Sequence, residues 1–192
     1  SFYRIGNYYR PSQVPITARY PVDYVTWHDC QRLLGRQGLQ LPTEAQWEYC
    51  AGAERGTPWF CGGDPAGLDG FANVLDETAV RAYPSWKSGP TYFDDGWAGP
   101  APVGSFGANP FGLHDVYGNV AEWCRDVYGS YDKPIAGADG LRHLPLQPQG
   151  RGVARGGTHR LAPRFARTAM RTDRERGVPS SDLGARASRP LH

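Results

Sequence analysis

The abundance of glycine and proline constrains the fold of this chain more than any other feature. The 192 residues include 25 glycines and 17 prolines, and beyond residue 53 they interrupt the chain every few positions. Such a pattern is typical of turns and long ordered loops, and it argues against a helical bundle. The strand patterns are short, at 120–124, 152–155 and 184–187. We therefore predict one domain over residues 1–192, large enough to bury a single core and rich in ordered loops.

Two helices are predicted near the start of the chain, each by a capping box. Thr26 with Asp29 opens the first helix, which ends near residue 35 or 38, and Thr43 with Gln46 opens the second, which runs to about residue 53. The side chains expected to pack inward from these two helices are Trp27, Leu33, Trp47 and Tyr49.

The segment 112–123, with the sequence Gly-Leu-His-Asp-Val-Tyr-Gly-Asn-Val-Ala-Glu-Trp, places two carboxylates around a turn. Asp115 and Glu122, together with the carbonyls between them, can converge on one hard cation. Ca²⁺ takes six to eight oxygen ligands of these kinds. Alone this pattern is weak evidence for a metal site.

Three ordered motifs give the segment its context. They are Leu-Pro-Thr-Glu-Ala-Gln-Trp-Glu at 41–48, the segment 112–123, and Arg-Gly-Gly-Thr at 155–158. In order and spacing, from about residue 21 to 190, the chain resembles the formylglycine-generating enzyme and sulfatase-modifying factor superfamily. The resemblance implies an α+β, C-type-lectin-like fold with two helices, a small twisted antiparallel sheet and much irregular loop.

The resemblance also implies two structural calcium sites. The first would use Asn73, Val74, Asp95 and Trp97, and the second would use Asp115, Gly118, Val120 and Glu122. An ion that ties loops together would stabilise a domain with little sheet. The alternative interpretation is that Asn73 and Asp95 cap turns and that Glu122 pairs with an arginine.

Formylglycine generation in this superfamily needs two cysteines after the Arg-Gly-Gly-Ser motif, which hold Cu(I) as thiolates. Their places fall at about Leu161 and Ala166, and no cysteine follows position 124. The five histidines are scattered, without the spacing of a local metal site. We therefore predict no enzymatic activity; the alternatives are an oxidase-type enzyme of the superfamily or a pseudo-enzyme sensor domain of a larger signalling protein.

A scaffold without catalytic residues is expected to bind a protein or another macromolecule through its loops. Segment 155–186 resembles the variable region of diversity-generating retroelement proteins, which share the fold and lack the copper cysteines. It departs from the family at His159, which replaces a Trp, and at Ala185, which replaces a Phe. The expected contact residues, all taken as exposed, are Thr158, His159, Arg160, Leu161, Arg164, Phe165, Thr172, Asp173 and Arg174.

Charge and cysteine usage add weaker predictions. Residues 151–192 hold ten arginines and three acidic residues, which favours nucleic acid, an acidic protein or another polyanion as a partner or, equally, pairing with acids elsewhere in the chain. Nucleic acid is the less favoured partner, because several of these arginines match family positions. The four cysteines are expected to be free and buried, and no apolar run is long enough to span a membrane. We expect a soluble domain, with a cytoplasmic location as one interpretation, whose native amino terminus is missing.

Overall fold

The computed structural model describes residues 8–9, 14–15, 17–87, 89–135, 138–142 and 150–190, and it has an α+β fold, as predicted. Its helices are α1 (Trp27–Gly35), α2 (Glu44–Gly52) and α3 (Glu77–Ala82). Short 3₁₀ turns lie at Pro65–Leu68, Pro84–Trp86 and Pro163–Ala166. None of the helices in the described residues has the length and apolar character that crossing a bilayer requires.

Both predicted capping boxes are present. The side chain of Thr26 accepts from the Asp29 amide while Asp29 bonds back to Thr26, and Thr43 and Gln46 make the same exchange. The third helix, α3, was not predicted. It is six residues long, and Asp76 caps it alone by accepting from the Ala79 amide at 2.8 Å. A carboxylate cap without a reciprocal partner is a weaker sequence signal than a box.

The main sheet has four strands in the order β5-β4-β3-β6. They are β3 (Ala121–Val127), β4 (Arg151–Arg155), β5 (Arg171–Glu175) and β6 (Leu183–Gly184), and a separate pair joins β1 (Tyr8–Tyr9) to β2 (Val14–Pro15). β3, β4 and β5 pair antiparallel, whereas β6 lies parallel to β3. Strand signals therefore marked β3 and β4 correctly, missed β5, and placed β6 slightly too late in the chain.

The core is divided between the two faces of this sheet. Cys124 and Val153 belong to one buried cluster with Trp47 of α2. Trp123 and Ala154, one position along each strand, belong to the other cluster, which includes a residue of α1. Successive strand residues point to opposite faces, so α1 and α2 each cover one face of β3 and β4.

The predicted inward side chains of the helices are only partly confirmed. Trp47 is buried, and Trp27 is half-buried and donates its Nε1–H to the Cys124 carbonyl at 2.8 Å. Leu33 and Tyr49 are 48% and 56% exposed, so the prediction that these two side chains pack inward was wrong. Residues two apart on a helix lie roughly 200° apart around its axis, which prevents Trp47 and Tyr49 from facing the same core.

All four cysteines are unpaired, as expected from the sequence. Cys30 and Cys124 are buried, but Cys50 and Cys61 are only half-buried. Burial raises the pKa of each thiol, which keeps the thiolate fraction low at neutral pH. The expectation that the thiols are free is therefore met, and their full burial holds for two of them.

Candidate functional site

The arginine of the Arg-Gly-Gly-Thr motif is the centre of a buried ionic network. Arg155 and Glu44 have almost no exposed surface, and the Arg155 Nη2 donates to Glu44 Oε1 and to Glu48 Oε2, each at 2.6 Å. Arg171 Nη2 donates to the other Glu44 oxygen at 2.7 Å. The Leu-Pro-Thr-Glu and Arg-Gly-Gly-Thr motifs therefore meet in a structural ion pair, and arginines near the carboxy terminus partly pair with acids, as the second interpretation of their charge predicted.

The two segments predicted to hold cations lie against each other. Gly118 forms an isolated parallel bridge with Asn73, and the Asn119 amide donates to the Asn73 carbonyl at 2.7 Å. A Cβ on Gly118 would lie 1.8 Å from that carbonyl oxygen, and its φ is +76°. Only glycine fits this close approach, so position 118 couples the two segments.

The residues of the first predicted calcium site fit a cation. Asn73 Oδ1 is buried without a hydrogen-bond partner in the described structure. Asp95 accepts from the amides of Val74 at 3.2 Å and Trp97 at 2.8 Å, which draws the four predicted ligands into one loop cluster. Burial and the nearby Asp76 carboxylate raise the pKa of Asp95. A bound cation would offset that cost of burying two carboxylates.

The second predicted site is arranged differently. Each oxygen of Glu122 accepts two hydrogen bonds: Oε1 from Arg186 Nε and Nη2, and Oε2 from Arg186 Nε and from Trp47 Nε1 at 2.7 Å. These bonds use the acceptor capacity of a carboxylate. Asp115 Oδ1 is buried without a partner among the described residues, but Glu122 follows the ion-pair alternative. The second set therefore does not fit a cation as the first does.

Thr158 and His159 were predicted to be exposed contact residues, and this prediction was wrong. Both are almost fully buried. His159 Nδ1 bonds to the Asn119 carbonyl at 2.8 Å, and its Nε2 accepts from Arg160 Nε at 3.3 Å. Burial lowers the pKa of His159 to about 4, so the ring is a neutral core group. Truncating it to alanine would leave a cavity in the core, so His159 is unsuitable as a surface probe.

The four residues that follow form a more accessible loop. Arg160, Leu161 and Phe165 are half-buried, and Arg164 is exposed. The Arg160 guanidinium lies over the Trp86 ring at 5.1 Å, and the Arg164 guanidinium lies over the Phe165 ring at 4.6 Å. These contacts hold both cations against aromatic surfaces.

Trp86 was missed in the sequence because nothing local marks it as part of this loop. It stacks on Tyr83 with ring centroids 4.1 Å apart, and its ring centroid lies 6.1 Å from that of His159. The contact joins positions more than 70 residues apart in the chain. Sequence spacing carries no information on such a pair.

The last three predicted contact residues lie in a different element. Thr172, Asp173 and Arg174 are half-buried on β5, which forms one edge of the main sheet. Asp173 pairs with Arg151 across from β4. The nine predicted residues thus fall into a buried pair, an accessible loop and a sheet edge, and they do not form one continuous segment of exposed side chains.

The two positions at which the superfamily resemblance implies cysteines lie within this accessible loop and directly after it. Leu161 lies within it, and Ala166 is buried at the end of the Pro163–Ala166 turn. Ala166 packs against Gly157, where an added Cβ would approach the Ala166 Cβ to 2.9 Å. Neither side chain can coordinate copper or form a disulfide.

Two cavities lie on either side of Arg186. One, of about 460 Å³, is lined by residues of 20–22, 103–104 and 112–115 together with Glu122. The other, of about 420 Å³, is mostly apolar and is lined in part by Trp47, Tyr49, Cys50 and Val116. Sequence reasoning did not identify either cavity, because Arg186 reaches Glu122 from 64 positions away.

The sulfatase-modifying factor enzyme 1-like domain matches residues 6–191, which is nearly the whole chain. The chain belongs to this family. The motifs at 41–48, 112–123 and 155–158, on which the predicted resemblance rested, all lie within the matched residues.

Three relatives illustrate the range of this family. The formylglycine-generating enzyme of Mycobacterium tuberculosis is 31% identical over 187 residues, covering 92% of this chain and 60% of the relative. The serine/threonine-protein kinase pkn1 of Chlamydia caviae is 33% identical over 177 residues, 91% of this chain and 25% of the kinase. The inactive C-alpha-formylglycine-generating enzyme 2 of Bos taurus is 30% identical over 120 residues, 60% of this chain and 36% of the relative. The chain thus spans less than two thirds of each.

Among solved structures, Treponema denticola variable protein 1 shares the fold. Its TM-score is 0.70 at 21% identity, over 97% of this chain and 79% of that one. The likeness supports the predicted C-type-lectin-like type of architecture, in which a small sheet supports long ordered loops. The relatives of this chain include a protein named as a formylglycine-generating enzyme and one named as inactive.

Proposed function

We propose that this chain is a non-catalytic domain that binds a protein or another macromolecule through the accessible part of segment 155–186. The observation that carries the proposal is the set of side chains that one loop presents. Positions 161 and 166 hold Leu and Ala in place of thiolates, while Arg160, Arg164 and Phe165 between and beside them offer guanidinium groups and an aromatic ring. Arginine and aromatic residues carry much of the binding energy at interfaces.

A diversity-generating retroelement variable protein is the specific form of this proposal. It is supported by position and fold: the accessible residues of the segment lie between the Arg-Gly-Gly-Thr motif and Gly184, and a variable protein shares the fold. Sequencing this coding segment in sister clones tests it. Differences at adenines confined to codons 158–182 would support diversification, and an invariant segment would overturn it.

A sensor domain within a larger signalling protein is the second candidate. The match to part of the kinase pkn1 favours it. Both candidates require binding without turnover. A parent gene that encodes a kinase or other signalling domain in the same chain, with an invariant segment 155–186, would favour this second candidate.

We also propose a structural Ca²⁺ at the first cation site, held by Asn73, Val74, Asp95 and Trp97. The support is that the buried Asn73 Oδ1 has no hydrogen-bond partner among the described residues, and that the next amide, of Val74, donates to the Asp95 carboxylate, while the Asp95 amide donates to Asp76. Such an ion would join the 73–76 loop to the 95–97 loop and supply no redox chemistry. The arrangement of Glu122 gives no corresponding support for a second ion.

The absence of formylglycine-generating activity is tested directly. The domain is incubated with Cu(I), oxygen and a Cys-x-Pro-x-Arg peptide, beside an active formylglycine-generating enzyme as the positive control. We expect mass spectrometry to find unmodified cysteine in every sample that contains only this chain. Aldehyde formation above the peptide-only background would contradict the non-catalytic assignment.

Binding by the accessible loop is tested with an unbiased ligand set. A random peptide library is selected on the wild-type domain, and the enriched peptides are measured against the L161A/F165A variant and against L33A/Y49A, which alters exposed apolar residues on the helices. We expect the loop variant to lose binding with its melting temperature nearly unchanged, and the helix variant to retain binding. Failure to enrich any peptide, or equal binding by all three proteins, would overturn the proposal.

A further inference from the structure

Four cations around the accessible loop form what we call the cationic face: Lys87, Arg160, Arg164 and Arg167. All four are exposed or half-buried. None of them forms an ion pair with a carboxylate within the described ranges. Other arginines do form such pairs, namely Arg32, Arg81, Arg125, Arg151, Arg155, Arg171 and Arg186.

Two guanidinium groups of this face lie close to one short segment of the chain, which contains Trp86 and Gly89. Arg160 lies over Trp86, and an ideal Cβ on Gly89 would be 3.7 Å from Arg164 Nη1. Three residues of chain span at most roughly 11 Å, so the two guanidinium groups lie over nearby positions. Arg167 is tied to the same loop, because its Nε donates to the Arg164 carbonyl at 2.9 Å.

Aromatic rings and hydrogen bonds hold these guanidinium groups in place before any ligand arrives. Arg160 uses its Nε to donate to His159, which leaves its terminal amino groups available. Trp86, which supports Arg160, is itself stacked on Tyr83. A guanidinium group fixed in this way loses less side-chain entropy on binding, and its donors match a carboxylate in a bidentate manner.

We propose that the cationic face binds an extended acidic peptide segment, with carboxylates spaced to reach Arg160 and Arg164 together. The inference rests on the proposed binding function and assigns its ligand chemistry. In an extended peptide, side chains two residues apart lie on one face and about 7 Å apart, a spacing within the reach of two long arginines.

The test uses three fluorescein-labelled decapeptides in which glycine alternates with Glu, Gln or Lys. Fluorescence anisotropy is measured against the wild-type domain, the R160Q/R164Q variant and the matched control R19Q/R36Q, which removes two exposed arginines elsewhere. We expect the Glu peptide to bind the wild type and the control at least about tenfold more tightly than the Gln peptide. The R160Q/R164Q variant should lose that preference, and added salt should weaken binding.

Equal binding of the Glu and Gln peptides, or unchanged Glu-peptide binding by R160Q/R164Q, would overturn the acidic-peptide inference. Tighter binding of a DNA duplex of equal charge would overturn it in favour of nucleic acid. If R160Q/R164Q lowers the melting temperature by more than a few degrees, R164Q/R167Q serves as the test variant. The library selection distinguishes this inference from the proposed function. If it enriches peptides that bind through the loop but are not acidic, the proposed function is retained and only the acidic-peptide inference is rejected.

Discussion

At the scale of single residues, His159 is the clearest case of a side chain whose burial sets its chemistry. Its exposed fraction is zero, and burial lowers its pKa to about 4 from an ordinary value of 6.5. The folded state therefore resists protonation, whereas the unfolded chain takes up a proton near pH 6.5. Stability from this group is fully present above pH 6.5 and is lost as the pH falls towards 4, by about 3 kcal/mol in total.

We predict that the H159N variant has a weaker pH dependence of stability than the wild type. An asparagine amide can replace the Nδ1 donor to the Asn119 carbonyl without titrating. Urea unfolding at pH 7 and pH 4 measures the effect. The wild type should lose about 3 kcal/mol more than H159N between these values, and H28N, at an exposed histidine, should behave like the wild type. Equal losses in H159N and the wild type would contradict a neutral buried His159.

The sequence contained the signal for His159 but not for its neighbours. His159 occupies a position where the superfamily places a tryptophan, and an aromatic core position predicts a buried ring of any type. The placement of the Arg160 guanidinium depends on Trp86, which is 74 positions away in the chain. No local pattern predicts that contact, so the loop as a whole was taken as exposed.

At the scale of elements, Glu44 joins α2 to the sheet. It lies in the first turn of α2 and pairs with Arg155 of β4 and Arg171 of β5, with only 3% of its surface exposed. Removing one partner of a buried pair leaves charge without compensation, which costs about 3–5 kcal/mol. The docking of α2 therefore depends on one carboxylate more than on any surface pair.

We predict that E44Q lowers the free energy of unfolding by about 3–5 kcal/mol. The matched control is D173N, which breaks the exposed Arg151–Asp173 pair and should cost less than about 1 kcal/mol. Equilibrium denaturation of the three proteins measures both changes. A cost for E44Q as small as that of D173N would show that the buried network contributes little to the docking of α2.

Secondary structure was predictable where a local device defines it. Thr26 and Thr43 each form a capping box, and both helices begin where those boxes predict. The short helix α3 and the edge strand β5 depend on packing against distant chain, and the sequence did not reveal them. The placement of Tyr49 failed for a geometric reason, since a helix with Trp47 buried turns position 49 towards solvent.

At the scale of the whole molecule, much of the chain is loop, and a few hydrogen bonds hold these loops to one another. The Asn73–Gly118 bridge connects two such loops, and the Asp95 carboxylate connects a third loop to that of Asn73 by accepting from the Val74 amide. An ion at this point would stabilise the folded state by mass action, by about 2.7 kcal/mol at one hundred times its dissociation constant.

We predict that an excess of chelator lowers the melting temperature of the wild-type domain and that added Ca²⁺ restores it. D95N should lose this response because it removes a proposed ligand. D94N should keep it, because Asp94 is exposed and pairs with Arg81. An unchanged melting curve in chelator, with no metal by elemental analysis, would eliminate the calcium proposal.

We propose that this family member binds its ligand through the loop that contains Arg160, Leu161, Arg164 and Phe165. Hydrogen–deuterium exchange of the domain, with and without a peptide selected on it, measures the contact directly. The account predicts slower exchange in fragments that cover 83–87 and 159–167, with little change elsewhere. Protection confined to the cavities beside Arg186, or to the β5 edge, would contradict it.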